Sequence, residues 1–237
     1  MNNDRYGTPR AAFYGRRKGP GLSPLQKKVL SDLVPKLVLD ISKLQQGSLK
    51  DLFDADVTEI WLEIGYGGAE HMLHQAELNP HIGFIGCEPF VNGMVKAAEG
   101  IRDRKLGNIR LYDNDAVFLL DWLPPKCLTR VFLLYPDPWP KKRHWKRRFV
   151  SSENLDRIIR VLQPDGHFRF ASDIDHYVNW ALQRILCKPE FQWLAERAAD
   201  WQLPWPEWIQ TRFEARAVRE GRSTAYLTFQ RRDTAGL

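Results

Sequence analysis

The stretch Thr58–Leu78, "TEIWLEIGYGGAEHMLHQAEL", changes character in its middle. "TEIWLEIG" (58–65) is a short, apolar, partly β-branched run of the kind that forms a buried strand, glycines follow, and Glu70–Leu78 carries apolar residues at helical spacing. The pattern recurs along the chain. "IGFIGCEP" (82–89), "NIRLYDND" (108–115), "RVFLLYPD" (130–137) and "HFRFASD" (167–173) read as strands, separated by helical patterns over Asn92–Lys105, Val117–Leu123 and Glu153–Leu162. Strands alternating with helices imply parallel βαβ units, so the fold class is α/β, with a mostly parallel sheet covered by helices on both faces. Two later runs, "FQWLAE" (191–196) and "AYLTFQR" (225–231), are expected to form a terminal antiparallel pair. Upstream, Pro24–Leu39 reads as one amphipathic helix. Residues 1–24, rich in Gly, Pro and Arg without hydrophobic periodicity, read as a mobile basic arm on a single domain of residues 25–237.

Composition narrows the function classes. The 237 residues hold 35 Lys plus Arg against 29 Asp plus Glu, a net charge of +6 that favours an anionic partner such as nucleic acid. Cys87, Cys127 and Cys187 lie far apart with no Cys-x-x-Cys pair, so neither a zinc site nor a disulfide framework is indicated, and a reducing cytoplasm fits. His71 and His74 lack a third ligand in any metal pattern and read as ordinary polar positions. No run approaches the roughly 20 apolar residues of a membrane span, and no obligate protein partner is evident.

Ligands of open α/β sheets bind beyond the carboxyl ends of the strands. Glu63, Glu88, Asp115, Asp137 and Asp173 end five of these strands and would collect along one rim. Like charges so placed cost stability, which suggests a ligand bearing hydroxyls, amino groups or positive charge. The turn after the first strand has Gly65 and Gly67 where a dinucleotide site needs its first two glycines, but Glu70 stands at the third, and Glu63 would repel a pyrophosphate. S-adenosylmethionine has no phosphate and carries an ammonium, a sulfonium and ribose hydroxyls. Glu88 suits the ribose, and Asn114 with Asp115 suits an adenine amino group, although Asp115 alone could equally be a helix cap.

In "YPDPWPKKRHWKRR" (135–148), Pro138 and Pro140 hold Asp137 and Trp139 in a stiff loop at the fourth strand's end. Six cations interleaved with His144 and Trp145 follow, the combination of charge and stacking surface expected for a nucleic acid.

These residues resemble the bacterial tRNA (guanine-N7-)-methyltransferases, through "EIGYG" (63–67), "CEP" (87–89), "DND" (113–115), "PDPWPKKRHWKRR" (136–148), "SDID" (172–175) and "TRFEARAVREG" (211–221). The resemblance implies the seven-stranded class I methyltransferase sheet and methyl transfer from S-adenosylmethionine to guanine N7, expected at position 46 in the tRNA variable loop. It implies that Glu63, Gly65, Gly67, Glu88, Asn114, Asp115 and Asp137 contact the donor, with Asp137 the acidic active-site residue. Lys141, Asp173, Thr211, Arg212, Phe213 and Glu214 would contact the guanosine, and Arg143, His144, Trp145, Lys146, Arg147 and Arg148 the RNA. Ala69 departs from a glycine common in the cofactor turn and is tolerable there with a negative φ. The alternatives are methylation of an exocyclic amine, a non-catalytic RNA-binding protein on the same fold, and a nicotinamide oxidoreductase, the last disfavoured by Glu70.

Overall fold

The computed structural model describes residues 14–43 and 49–233. One seven-stranded sheet organises them, formed by β1 (Glu59–Ile64), β2 (Ile82–Cys87), β3 (Ile109–Tyr112), β4 (Leu128–Leu134), β5 (Leu162–Ser172), β6 (Phe191–Trp193) and β7 (Ala225–Arg231). The order is β3-β2-β1-β4-β5-β7-β6; β1 to β5 are mutually parallel, and β7 runs antiparallel to both neighbours. The expected antiparallel pair is present, with β7 inserted between β5 and β6. β2 is buried along its whole length, as a near-continuous apolar run requires when helices cover both faces.

The helices follow local signals. Ser23 closes a capping box at the start of α1 (Pro24–Asp32). The single helix expected over 24–39 is broken after Asp32, and α2 (Val34–Leu37) restarts with Pro35 in its first turn, where the missing N–H costs nothing. Then come α3 (Glu70–Leu78), α4 (Val91–Arg104), α5 (Ala116–Trp122), α6 (Ser152–Val161), α7 (Asp175–Leu186), α8 (Ala199–Gln202) and α9 (Arg212–Arg219).

Alternation along β1 divides the core. Leu62 and Ile64 join the layer with Leu120, Ile158 and Tyr177 from α5, α6 and α7; Trp61 joins the opposite layer, with Met72 of α3 and Val95 of α4. The strand order reverses direction between β1 and β4, which leaves a crevice beyond their carboxyl ends. Among the described residues no helix is long and apolar enough to cross a membrane, and no cluster of His, Cys, Asp and Glu could hold a metal ion.

Candidate active site

The crevice is floored by the turn after β1. Gly65 and Gly67 have φ of +72° and +56°, and the Gly65 N–H donates to the Cys87 carbonyl at 2.8 Å, stitching the turn to the end of β2. Ala69 also has a positive φ, 64°, and so does not meet the condition of a negative φ under which a methyl there is readily tolerated. A left-handed L-residue costs about 1–2 kcal/mol. The Ala69 methyl is fully buried and its N–H donates to the Tyr66 carbonyl, which offsets part of that cost. Gly93, which sequence reasoning passed over, lies where α4 crosses the turn: a Cβ there would stand 2.4 Å from the Gly67 carbonyl oxygen. A glycine inside a helical pattern was the available signal.

A cavity of about 530 Å³ opens above the turn, a volume suited to a small molecule, lined by Gly65, Gly67, Glu88, Asp115, Val117 and Asp137 among others. Glu88 accepts from the backbone N–H groups of Gly67 and Phe90, both at 3.0 Å, one on each carboxylate oxygen. Burial raises its pKa, with the two backbone bonds opposing and the Asp137 charge adding to the rise. Each oxygen keeps a lone pair for a ligand hydroxyl. Asp115 caps α5 through a 3.0 Å bond from the Val117 N–H and still lines the cavity, so capping does not remove it from the crevice. Asn114 is buried and its Oδ1 accepts from the Arg17 guanidinium at 2.9 Å, so a segment expected to be mobile already holds this acceptor.

Glu63 is not part of the cavity. On β1 it shares a face with Trp61, and its buried carboxylate lies 2.6 Å from Nδ1 of His71 on α3. The same strand alternation that points Ile64 at the cavity turns the Glu63 side chain toward α3. His71, read as ordinary, is its buried partner, packed between Phe132 and Trp208.

Asp137 follows β4 between Tyr135 and Trp139, both at positive φ (49° and 43°), a strained loop of the sort concentrated at functional sites. Among the described residues no side chain or N–H donates to its carboxylate, and desolvation raises its pKa. What holds the loop is Arg148. Its Nε donates to the Pro138 carbonyl at 2.8 Å, a terminal nitrogen lies 2.7 Å from Nδ1 of His176, and the guanidinium sits over the rings of Trp145, Tyr177 and Trp180. At 3% exposure Arg148 cannot grip a phosphate, a correction to its expected RNA contact. Trp145 is half-buried, stacked against His176 and edge-on to Trp180.

The remaining cations of the run divide. Arg147 sits 4.9 Å from the ring centres of both Tyr14 and Trp139, and Trp139 also meets His144 edge-on, so Trp139 packs over the cavity mouth. Lys141, Arg143 and Lys146 are exposed and have no acidic partner among the described residues. His144 has a pKa lowered by desolvation and then by Arg147, Arg143, Lys141 and Lys146.

The chain's later elements close the site. Phe213 is 46% exposed, stacks on Tyr135 and reaches the cavity over Gly67. Thr211 caps α9, accepting from the Glu214 N–H at 3.2 Å, and Arg212 is ion-paired with Glu70. Asp173 pairs with Arg222 at 2.7 Å. Glu214, expected to read the guanine, is buried, and its two carboxylate oxygens accept from the Trp208 indole N–H and the Tyr226 hydroxyl. Through those two donors Glu214 anchors α9 to β7, and burial turns its carboxylate into the protein. The arm expected over residues 1–24 lies partly outside the described residues; its described part is docked, the Arg17 carbonyl accepting from the Val91 N–H and Asn92 bonding Gly19 and Pro20.

A family model described as "Putative methyltransferase" matches residues 58–227. The tRNA (guanine-N(7)-)-methyltransferase of Agrobacterium fabrum (strain C58) is 54% identical over 98% of this chain and 100% of its own length. That of Chelativorans sp. (strain BNC1) is 53% identical over 93% and 95%. Among solved structures, the aminoglycoside resistance methyltransferase NpmB1 aligns with a TM-score of 0.51 over 74% of this chain and 88% of that one, at 17% identity, a likeness of fold alone.

Proposed function

This chain belongs to the S-adenosylmethionine-dependent tRNA (guanine-N(7)-)-methyltransferase family, and on that premise we propose that it methylates N7 of the guanine at position 46, in the variable loop of tRNA, using residues 25–237 as one catalytic domain. The observation that carries the site assignment is the convergence of the glycine turn, Glu88, Asp115 and the unpartnered Asp137 on one cavity. Membership sets aside the nicotinamide, exocyclic-amine and non-catalytic readings.

The residues present fit the methyl donor. Glu88 has two acceptor sites left for vicinal ribose hydroxyls, Asp115 lines the wall beyond β3, and the carboxylates suit a cationic ligand with no phosphate. When bound, S-adenosylmethionine supplies an electrophilic methyl group on a sulfonium.

Guanine N7 carries an in-plane lone pair and needs no general base. The protein's tasks are to orient the ring, exclude water and offer negative charge to a purine that becomes cationic. Asp137 does the last of these, held in place by its strained loop and by Arg148. Phe213 and Tyr135 present aromatic faces to the base, and Asp173, with one oxygen on Arg222, accepts from the guanine's N1–H and amino edge with its other. Lys141, Arg143, Lys146 and Arg147 bind RNA phosphates.

Methyl transfer to unmodified tRNA, compared with a tRNA lacking the variable-loop guanine, tests the proposal. Equal incorporation into both tRNAs would sink the assigned position. Full turnover by Asp137→Asn with both substrates saturating would sink the role of Asp137.

A further inference from the structure

The donor cavity does not end the site. Gly67, Glu88, Asp137, Trp139 and Phe213, with Tyr14 to Arg16, also wall a second, outer cavity of about 870 Å³. The two cavities differ in charge in a way the shared wall makes visible. Both carboxylates of the outer cavity, Glu88 and Asp137, stand on the shared wall; the charged residues that line the outer cavity alone are Lys96 and Arg212, both cations. Arg212 is neutralised by Glu70. Lys96 is exposed and has no hydrogen bond or ion pair among the described residues, and Arg16, which lines both cavities, has none either.

The arm positions these cations. Asn92 and Lys96 are four apart on α4 and share a face. The Asn92 side chain accepts from the Gly19 N–H and donates to the Pro20 carbonyl, both at 3.0 Å, while the Val91 N–H donates to the Arg17 carbonyl. The segment carrying Arg16 is therefore tied to the start of the helix carrying Lys96.

We infer that the outer cavity holds the phosphodiester backbone flanking the target guanosine, with Lys96 as its principal counter-ion and Arg16 as the second. This rests on the functional reading above. A base whose N7 reaches Asp137 from the side opposite the donor leaves its ribose and phosphates in the outer cavity. Those phosphates carry full negative charge at neutral pH, and the carboxylates of the shared wall disfavour them there. The cations lining the far walls set the side on which the backbone lies, and they belong to elements separate from the basic run at 141–148.

The test uses the full chain as wild type, Lys96→Gln and Lys96→Arg, with an unmodified tRNA transcript titrated at several salt concentrations and methyl transfer measured alongside. Losing one phosphate contact lowers the slope of log K against log salt by about 0.7–0.9. The expected result is that loss in Lys96→Gln, with the tRNA KM raised several-fold, kcat at saturating tRNA and S-adenosylmethionine affinity unchanged, and the slope kept in Lys96→Arg. An unchanged slope in Lys96→Gln, or an equal loss in both variants, overturns the inference. Because the wild type runs in the same series, a wild type that transfers no methyl to tRNA overturns the functional reading itself, whereas an active wild type with an unchanged variant slope overturns this inference alone.

Discussion

Truncating Arg148 to alanine is expected to destabilise the protein by about 3–5 kcal/mol, an effect on folding where a surface cation would affect only RNA binding. Two bonds made by a charged donor, to the Pro138 carbonyl and to His176, are worth about 1.5–3 kcal/mol each. Contacts over Trp145, Tyr177 and Trp180 add about 0.5–2 kcal/mol. Relief from keeping a cation buried subtracts part of the sum. At about 2–4 °C per kcal/mol for a chain of this size, Tm should fall by roughly 6–20 °C. Arg148→Lys should recover little, since an ammonium cannot bond the Pro138 carbonyl and His176 with the same planar fork. Urea unfolding gives the stability change, and methyl-transfer kinetics on the folded fraction should show kcat falling more than KM rises, because the loop carrying Asp137 loses its tether. The reasoning is refuted if Arg148→Ala unfolds within about 0.5 kcal/mol of wild type while the salt slope of tRNA binding drops by about 0.7–0.9, the signature of a lost phosphate contact.

Asp137→Asn should be neutral or slightly stabilising at neutral pH while kcat falls. Desolvation raises the folded-state pKa of Asp137, so the wild type loses stability as pH rises through the carboxylate range; the variant's gain should vanish in acid, as thermal unfolding at several pH values will show. Gly93→Ala drives a methyl against the Gly67 carbonyl and should cost about 1–3 kcal/mol of stability, with a tenfold or greater loss of S-adenosylmethionine affinity by calorimetric titration. Binding of tRNA should take up a proton at His144, because desolvation and then the neighbouring cations hold its pKa down and RNA phosphates neutralise those cations; affinity then rises as pH falls from neutrality. Calorimetry in buffers of different ionisation enthalpy measures the uptake, which His144→Ala should abolish.

The sheet was legible because each buried strand is an apolar run ending in glycine or an acid, and β1 to β4 start and stop within three residues of the runs that announced them. α7 was not, since its polar residues hide a four-residue apolar stripe, and the break before α2 needed Pro35 to be weighed as an interruption. At the site, position along the chain located Glu88, Asp115 and Asp137 in the cavity. It did not reveal that Glu63 turns toward His71, because which face of β1 a residue takes is decided by the register of the whole strand. It did not reveal the burial of Glu214 and Arg148, because their partners, Trp208, Tyr226, Pro138 and His176, are set by tertiary packing. Composition treats a charge on the surface and one folded under a tryptophan alike.

The place of β7 has a consequence for how the protein is made. β6 reaches the sheet only through β7, and α9, which carries Phe213, immediately precedes that strand and is anchored to it through Glu214 and Tyr226. A chain emerging from the ribosome can assemble β1 to β5 and the glycine turn well before β7 exists. It would then present a donor pocket without its aromatic cover or the Arg222 partner of Asp173. On the function proposed above, a growing chain is expected to bind a methyl donor before it can receive a base, the last strand completing the substrate side of the site.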